Sequence, residues 1–136
     1  MLTFELDEEN LRKAWGGSSE YWFSTKDYSV RDVVEIIDYN SVEETSKASY
    51  LISLGYIPYF AVSDEEVMYS FIQTITNEKL KAVFDKTGAD EYKEMFWKYY
   101  NLYPEISDNY DLFEKNYLQN KAEKWCQANN INYSTK

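Results

Sequence analysis

A run of three carboxylates is the sequence's first candidate for chemistry. It comprises Asp64, Glu65 and Glu66 in the segment SDEE. Carboxylate oxygens bind hard cations such as Mg²⁺ and Ca²⁺, so one interpretation is a carboxylate-based, divalent-metal-dependent hydrolase. The alternative is structural, because acidic groups in a helix's first turn interact favourably with the helix dipole. Ser63 and Glu66 have capping-box spacing, which favours the structural interpretation.

Other catalytic chemistry has little support in the sequence. The chain has no histidine and a single cysteine, Cys126, so it cannot build a histidine-based triad or a histidine metal site. It also lacks both the Walker sequence and the Gly-x-Gly-x-x-Gly loop. We therefore expect no cofactor. We interpret Cys126 as a buried apolar residue of a helix rather than a reactive thiol, which would need a nearby cation to lower its pKa.

Aromatic side chains are the second candidate for function. The segment MFWKYYNLYPEISDNYDLF, residues 95–113, holds seven of them in nineteen positions. A stripe at helical core spacing is formed by Tyr92, Met95, Phe96 and Tyr99. Trp97 and Tyr100 pair three residues apart on an adjoining face. They either widen the buried arc or form an exposed apolar patch that binds a partner.

The charge of the chain limits its partners. Its net charge is −10, and only two of its 14 basic residues are arginines, Arg12 and Arg31. This balance disfavours binding to nucleic acid or to an anionic membrane surface. Residues 1–70 carry fourteen acidic and five basic groups, so an electrostatically steered protein partner would be basic. The alternative is that this charge serves only solubility.

The chain shows no targeting signal. The segment MLTFELDEEN is acidic and lacks a long apolar stretch, unlike a secretory signal. The longest uncharged run, Ala48 to Ser63, is too short and too polar to span a bilayer. We expect a cytoplasmic protein that forms one domain over residues 1–136.

Local patterns place a few strands and helices in the first half. Asp7 caps the first helix, and Gly16 and Gly17 end it after Trp15. Val33–Ile37 fits either a strand or a helical stripe, and its β-branched density favours the strand. The predictions are a helix from Asp7 to Trp15, a strand at Tyr21–Ser24, a turn at Lys26–Asp27, a strand at Val33–Ile37, a helix from the capping box Ser41–Glu44 to Gly55, and an extended edge segment at Tyr56–Phe60.

The second half reads as four helices. Ser63 opens the first, Pro104 stops the third, and Ser107 is the expected cap of the fourth. The fourth ends near Ala128, where the following asparagines are plausible left-handed terminators. We predict an α+β fold: a small antiparallel sheet in the N-terminal half, residues 1–62, packed with a mainly helical C-terminal half, residues 63–133.

The spacing of residues between Tyr56 and Tyr133 resembles that of an uncharacterised bacterial protein family, one of those designated only as UPF. The matching positions are Met68, Phe71, Ile72, Gly88, Tyr92, Phe96, Tyr110, Phe113, Ala122, Trp125, Cys126, Asn129, Ile131 and Tyr133. The family's Gly-preceded helix is typically basic, whereas this chain has Asp90, Glu91 and Glu94 there. The resemblance implies a fold but no activity, substrate or catalytic residue.

Two functional hypotheses follow. The first is a small non-enzymatic protein-interaction module that uses Trp97 and Tyr100 and prefers a basic partner. The second is the metal-dependent hydrolase built on Asp64, Glu65 and Glu66. The absence of histidine and the first-turn position of the acidic run favour the first.

Overall fold

The structure is a computed structural model that describes residues 2–16, 19–36 and 47–135. It is an α+β fold with a small antiparallel sheet in the N-terminal half and helices mostly in the C-terminal half, as predicted. The residues group into two compact units. Unit 1 comprises Met1–Ala61 and Lys121–Lys136, and unit 2 comprises Val62–Asn120. The expectation of a single domain stays a prediction.

Unit 1 holds two small sheets and short helices. A three-stranded antiparallel sheet has the order β3-β2-β4, and β1 pairs with β5 in parallel. The elements are β1 (Phe4–Leu6), α1 (Glu8–Arg12) followed by a 3₁₀ turn (Lys13–Trp15), β2 (Tyr21–Ser24), β3 (Val30–Asp32), α2 (Val33–Ile36), α3 (Lys47–Ser53), β4 (Tyr56–Pro58) and β5 (Tyr133–Thr135).

The first helix begins and ends as the sequence predicts. The Oδ1 atom of Asp7 accepts a hydrogen bond from the amide of Asn10 at 2.9 Å, which satisfies one free donor of the first turn. Gly16 follows the 3₁₀ turn with a φ of 65°, a region that residues with a side chain rarely adopt. The strand Tyr21–Ser24 is confirmed, and so is the turn after it, where the Oγ atom of Ser24 accepts from the amide of Lys26 at 3.2 Å.

The strand predicted at Val33–Ile37 is wrong. The strand lies just before it, at Val30–Asp32, and Val33–Ile36 forms a helical turn. The side chain of Asp32 accepts a hydrogen bond from the amide of Val34, which opens that turn. Within it Val33 is buried and Val34 is 61% exposed. Local hydrogen bonding therefore outweighed the β-branched preference, which is weak where neighbours do not pack. Ile37 lies outside the described residues.

The segment after α3 is extended at the edge of the sheet, as predicted. The capping box predicted at Ser41–Glu44 lies outside the described residues, but α3 ends before Gly55, which has a φ of 92°. β4 is an edge strand, so Pro58 removes no interior hydrogen bond. The carbonyl of Pro58 accepts from Trp125 Nε1 at 3.2 Å. The indole thus covers part of this edge.

The parallel pair β1–β5 was not predicted. Phe4 aligns with Tyr133, and the Phe4 amide donates to the Asn132 carbonyl at 2.8 Å. The Asn132 side chain also donates to the Leu2 carbonyl at 3.2 Å. Asn130 adopts a left-handed φ of 57° after α8, as predicted. This terminator turns the chain back toward β1.

Aromatic rings fill the core of unit 1. The indole of Trp125 packs edge-on against Phe23 and Tyr59, each at 5.2 Å between ring centroids, and against Phe4 at 6.4 Å. Phe60 lies 5.9 Å away in a tilted arrangement. All four neighbours are buried. Edge-to-face pairs of this kind add stabilisation beyond the apolar area that they bury.

Unit 2 is helical. Its elements are α4 (Asp64–Ile72), α5 (Glu78–Asp85), a 3₁₀ turn (Ala89–Glu91), α6 (Tyr92–Leu102), α7 (Pro104–Ser107) and the first part of α8 (Tyr110–Ala128). The helices after Ser63 and before Pro104 are confirmed. The capping role predicted for Ser107 is wrong, because Ser107 is the last residue of α7. Pro104 starts that extra turn at the first helical position, where its missing N–H costs nothing.

Trp125→Ala should lower the free energy of unfolding by about 3 kcal/mol, because it removes a large ring from packed neighbours. Trp125→Phe should cost about half as much, since a ring remains but the bond to the Pro58 carbonyl is lost. Urea denaturation followed by circular dichroism measures both. The control is Trp97→Ala, which removes the same ring from a 42% exposed position and should cost less than about 1 kcal/mol. Equal losses for the two alanine variants would contradict the packing of Trp125, which is itself half-buried, against the core of unit 1.

Candidate functional site

The stripe predicted on α6 packs as a core. Tyr92 and Phe96 are buried, and Met95 and Tyr99 are half-buried. The ring of Phe96 lies 4.6 Å from that of Tyr110. Two further rings, Phe71 of α4 and Phe84 of α5, are each 6.3 Å away. Phe96 is therefore the central ring of unit 2.

Tyr99 of α6 and Phe113 of α8 also pack in the core of unit 2, against rings of the two preceding helices. Tyr99 contacts Phe84 at 5.8 Å, and Phe113 contacts Phe71 at 5.2 Å. The helices α4 and α5 thus supply rings to the same core. Sequence spacing within α6 and α8 carries no information about those partners.

Trp97 and Tyr100 lie together at the surface of unit 2, and we call these two residues the aromatic patch. Trp97 is 42% exposed and Tyr100 is half-buried. Their ring centroids are 5.2 Å apart, with planes at 68°. Tyr110 lies behind both, at 6.2 Å from Trp97 and 6.4 Å from Tyr100, nearly perpendicular to each. The patch is thus supported by a buried ring.

The three residues of the acidic run lie in the first turn of α4, and two of them have identified partners there. Ser63 Oγ accepts from the Glu66 amide at 3.2 Å, and the Glu66 carboxylate accepts from the Ser63 amide at 2.8 Å, which completes the capping box. Glu66 also accepts from the Tyr117 hydroxyl at 2.7 Å. Asp64 forms an ion pair with Lys93 at 2.8 Å, and Glu65 is exposed.

No metal site emerges from these carboxylates. Within residues 2–16, 19–36 and 47–135, no three Asp, Glu, Cys or His side chains are grouped closely enough to hold a metal ion. The structure instead places Asp64, Glu65 and Glu66 in a helix's first turn, where negative charge is favourable.

Glu114, a carboxylate that the sequence did not single out, interacts with Tyr110 behind the patch. Burial raises the pKa of Glu114, and the charges of Asp64 and Asp111 add to the shift, whereas the Tyr110 hydroxyl opposes it. Burial is also the main cause of the raised pKa of Tyr110. The charges of three carboxylates, Asp64, Asp111 and Glu114, therefore act on Tyr110, the ring that supports Trp97. The spacing of Tyr110 and Glu114, four residues apart on one helix, is the signal that could have identified this pair.

Cys126 is a core residue of unit 1. Its side chain is fully buried, and burial, followed by the charge of Glu123, raises the pKa of the thiol to about 11. A thiol with so high a pKa is mostly protonated at neutral pH and reacts slowly. The structure thus supports the interpretation of Cys126 as a buried apolar residue.

Unit 1 has a surface cavity that the sequence did not indicate. Its volume is about 380 Å³, and it lies between the end of the first helix, the start of β2 and the chain after β4. A second cavity of about 370 Å³ adjoins it, since Lys13, Gly16 and Tyr21 line both. No single motif covers these segments, because the chain after β4 follows the first helix and the start of β2 by about 40 residues, so only the fold could bring them together.

Comparisons with known proteins assign no relationship. No family model, curated protein or solved structure matches the chain. The resemblance to an uncharacterised bacterial family thus stays a prediction. Among the described residues, no helix is both long and apolar enough to cross a membrane.

Glu114→Gln should stabilise the protein near pH 7 and have little effect near pH 3.5. Because the pKa of Glu114 is raised on folding, ionisation of its carboxyl opposes folding at neutral pH. Below the pKa of an unfolded-chain glutamate, about 4.3, the group is protonated in both states. Thermal unfolding at the two pH values measures the difference. Glu94→Gln, which removes one exposed negative charge from α6, is the control. An equal effect of Glu114→Gln at both pH values would contradict the assigned burial.

Proposed function

We propose that the chain is a small non-enzymatic protein-interaction module that binds a basic partner protein through the aromatic patch of Trp97 and Tyr100. The observation that carries this proposal is the position of Trp97. It is 42% exposed, and its neighbours Phe96 and Tyr110 are buried. The ring is thus held in place by the core while one side faces solvent.

A tryptophan that is exposed to solvent and held in place by buried rings is well suited to binding a partner protein. Tryptophan and tyrosine are enriched among the residues whose truncation most weakens protein interfaces. A side chain that is already held loses little conformational entropy when a partner binds. Phe96 lies 5.6 Å from Trp97 and Tyr110 lies 6.2 Å away, both nearly perpendicular to the indole. The partner would therefore meet a preorganised surface.

Charge supports a basic partner. The sequence of unit 2 carries twelve acidic residues and six lysines. Asp64, Asp111 and Glu114 are the carboxylates whose charges act on Tyr110 behind the patch. Lysine or arginine side chains of a partner would gain from these charges and from contact with the indole face. Nucleic acid fits poorly, because the same charges repel phosphates.

The contacts of the acidic run Asp64, Glu65 and Glu66 support a structural rather than a catalytic role for these residues. Glu66 completes a helix cap and binds the Tyr117 hydroxyl, and Asp64 pairs with Lys93. We also propose that the protein works in the cytoplasm, where a reducing environment maintains a free cysteine such as Cys126.

The proposal is tested by affinity capture from the native cell with the immobilised protein. Captured proteins are identified by mass spectrometry, and the interaction is repeated with the purified pair. We expect a basic partner that the wild type retains. The double variant Trp97→Ala, Tyr100→Ala should bind it at least 30-fold more weakly, since loss of a central interface aromatic costs about 2 kcal/mol or more. Binding should also weaken with added salt.

Leu112→Ala is the matched control, because Leu112 is 65% exposed on α8 and lies outside the patch. This variant should bind as the wild type does. The unfolding midpoint of the double variant should remain close to that of the wild type. A folded double variant that retains full affinity would contradict the proposal.

A further inference from the structure

We propose that the two adjoining cavities of unit 1 form one binding groove for a small planar aromatic molecule that carries a single negative charge. The groove is separate in sequence from the aromatic patch, and it combines an apolar wall with two cations that form no ion pair with any residue the structure describes. Its principal residues come from the end of the first helix and the start of β2.

The first cavity supplies the apolar wall. Its lining includes Ala14, Trp22, Tyr59 and Phe60, all of which are buried residues of the unit 1 core. These side chains are fixed by their packing, so the wall exists before a ligand arrives. A volume of about 380 Å³ lies within the range of small-molecule sites. A flat hydrocarbon ring would therefore displace water from a surface that is already formed.

The second cavity supplies the positive charge and two further rings. Arg12 and Lys13 line it together with Trp15 and Tyr21. Both rings are half-buried, so each has part of its surface open. Neither Arg12 nor Lys13 takes part in any of the ion pairs between described residues. Lys13 makes a single long contact, with the Val30 carbonyl at 3.4 Å. Both cations are thus available to an anionic group.

The carboxylate in the first cavity does not neutralise these cations. Glu20 accepts from Trp22 Nε1 at 2.9 Å and forms an ion pair with Lys47 at 3.1 Å. The Lys47 ammonium group therefore compensates the charge of Glu20. Glu9 lines the second cavity, so the two cations face one further carboxylate. The charge balance of the second cavity fits one negative charge on the ligand and not two.

Gly16 shapes the junction of the two cavities. Its φ of 65° and ψ of −66° turn the chain sharply after the 3₁₀ turn, and it lines both cavities. A side chain at this position would strain the backbone. Lys13, at the start of the 3₁₀ turn that Gly16 ends, lines both cavities as well, and so does Tyr21 of β2.

Titration of the ¹⁵N-labelled protein with 2-naphthoate tests the proposal. 2-Naphthamide is the matched probe, because it keeps the two rings but is neutral. We expect 2-naphthoate to shift the amide resonances of Gly16, Tyr21 and Ala61 in a saturable manner, and the amide to bind at least tenfold more weakly. Charge-assisted hydrogen bonds account for a difference of that size.

The double variant Arg12→Gln, Lys13→Gln should weaken 2-naphthoate binding at least tenfold and leave 2-naphthamide binding unchanged. Lys79→Gln, which removes an exposed cation from α5, is the control and should change neither. A wild-type spectrum in which 2-naphthoate shifts no groove resonance at millimolar concentration would overturn the proposal. Equal binding of the two probes, or 2-naphthoate binding that the double variant retains, would also overturn it.

Discussion

The packing of aromatic rings around Trp125 is the interaction on which unit 1 depends. One indole contacts a ring of β1, a ring of β2 and the two rings after β4. Its N–H also binds the Pro58 carbonyl at the edge of the sheet. Two-stranded sheets are marginally stable alone, so the parallel pair β1–β5 needs this core. The groove has the same origin, because Tyr59 and Phe60 belong both to the core and to the groove wall.

The parts of the fold that follow from local patterns could be predicted from the sequence. The capping box at Ser63 and the stop at Pro104 need only a few neighbouring residues, and both are confirmed. The pair β1–β5 could not be predicted, because it joins segments about 130 residues apart and carries no helix or hairpin signal. Val33–Ile36 shows the limit of propensity, since a short side-chain bond from Asp32 determined the local structure.

The candidate site was predictable only in part. Spacing on α6 placed Trp97 and Tyr100 on one face, but exposure depends on the neighbours that α4 and α5 provide. Phe71 and Phe84 pack on Phe96 and so determine which face of α6 is buried. The groove could not be predicted from the sequence, because Arg12, Trp15 and Tyr21 do not have the spacing of any known binding motif. These three residues come to line one cavity only after the first helix and β2 have folded.

Consecutive residues of α6 thus have different roles. Phe96 is fully buried at the centre of unit 2, and Trp97 beside it is 42% exposed. The first holds the helix in place, and the second presents a ring to solvent. In a chain with 18% aromatic residues, the same class of side chain therefore both fills the core and lies at the surface. Unit 1 also has one buried and one more accessible tryptophan: Trp22 lies in the core, and Trp15 lines the second cavity.

Photo-crosslinking in the native cell shows directly whether the aromatic patch contacts a partner. p-Benzoylphenylalanine is introduced in place of Asn101, an exposed residue of α6 one turn after Trp97, or, as a control, in place of Leu112, and the cells are irradiated. We expect a discrete adduct with a basic protein from position 101 and none from position 112. Absence of any adduct at position 101 in a folded protein that keeps Trp97 and Tyr100, or the same adducts at both positions, would contradict the proposed interface.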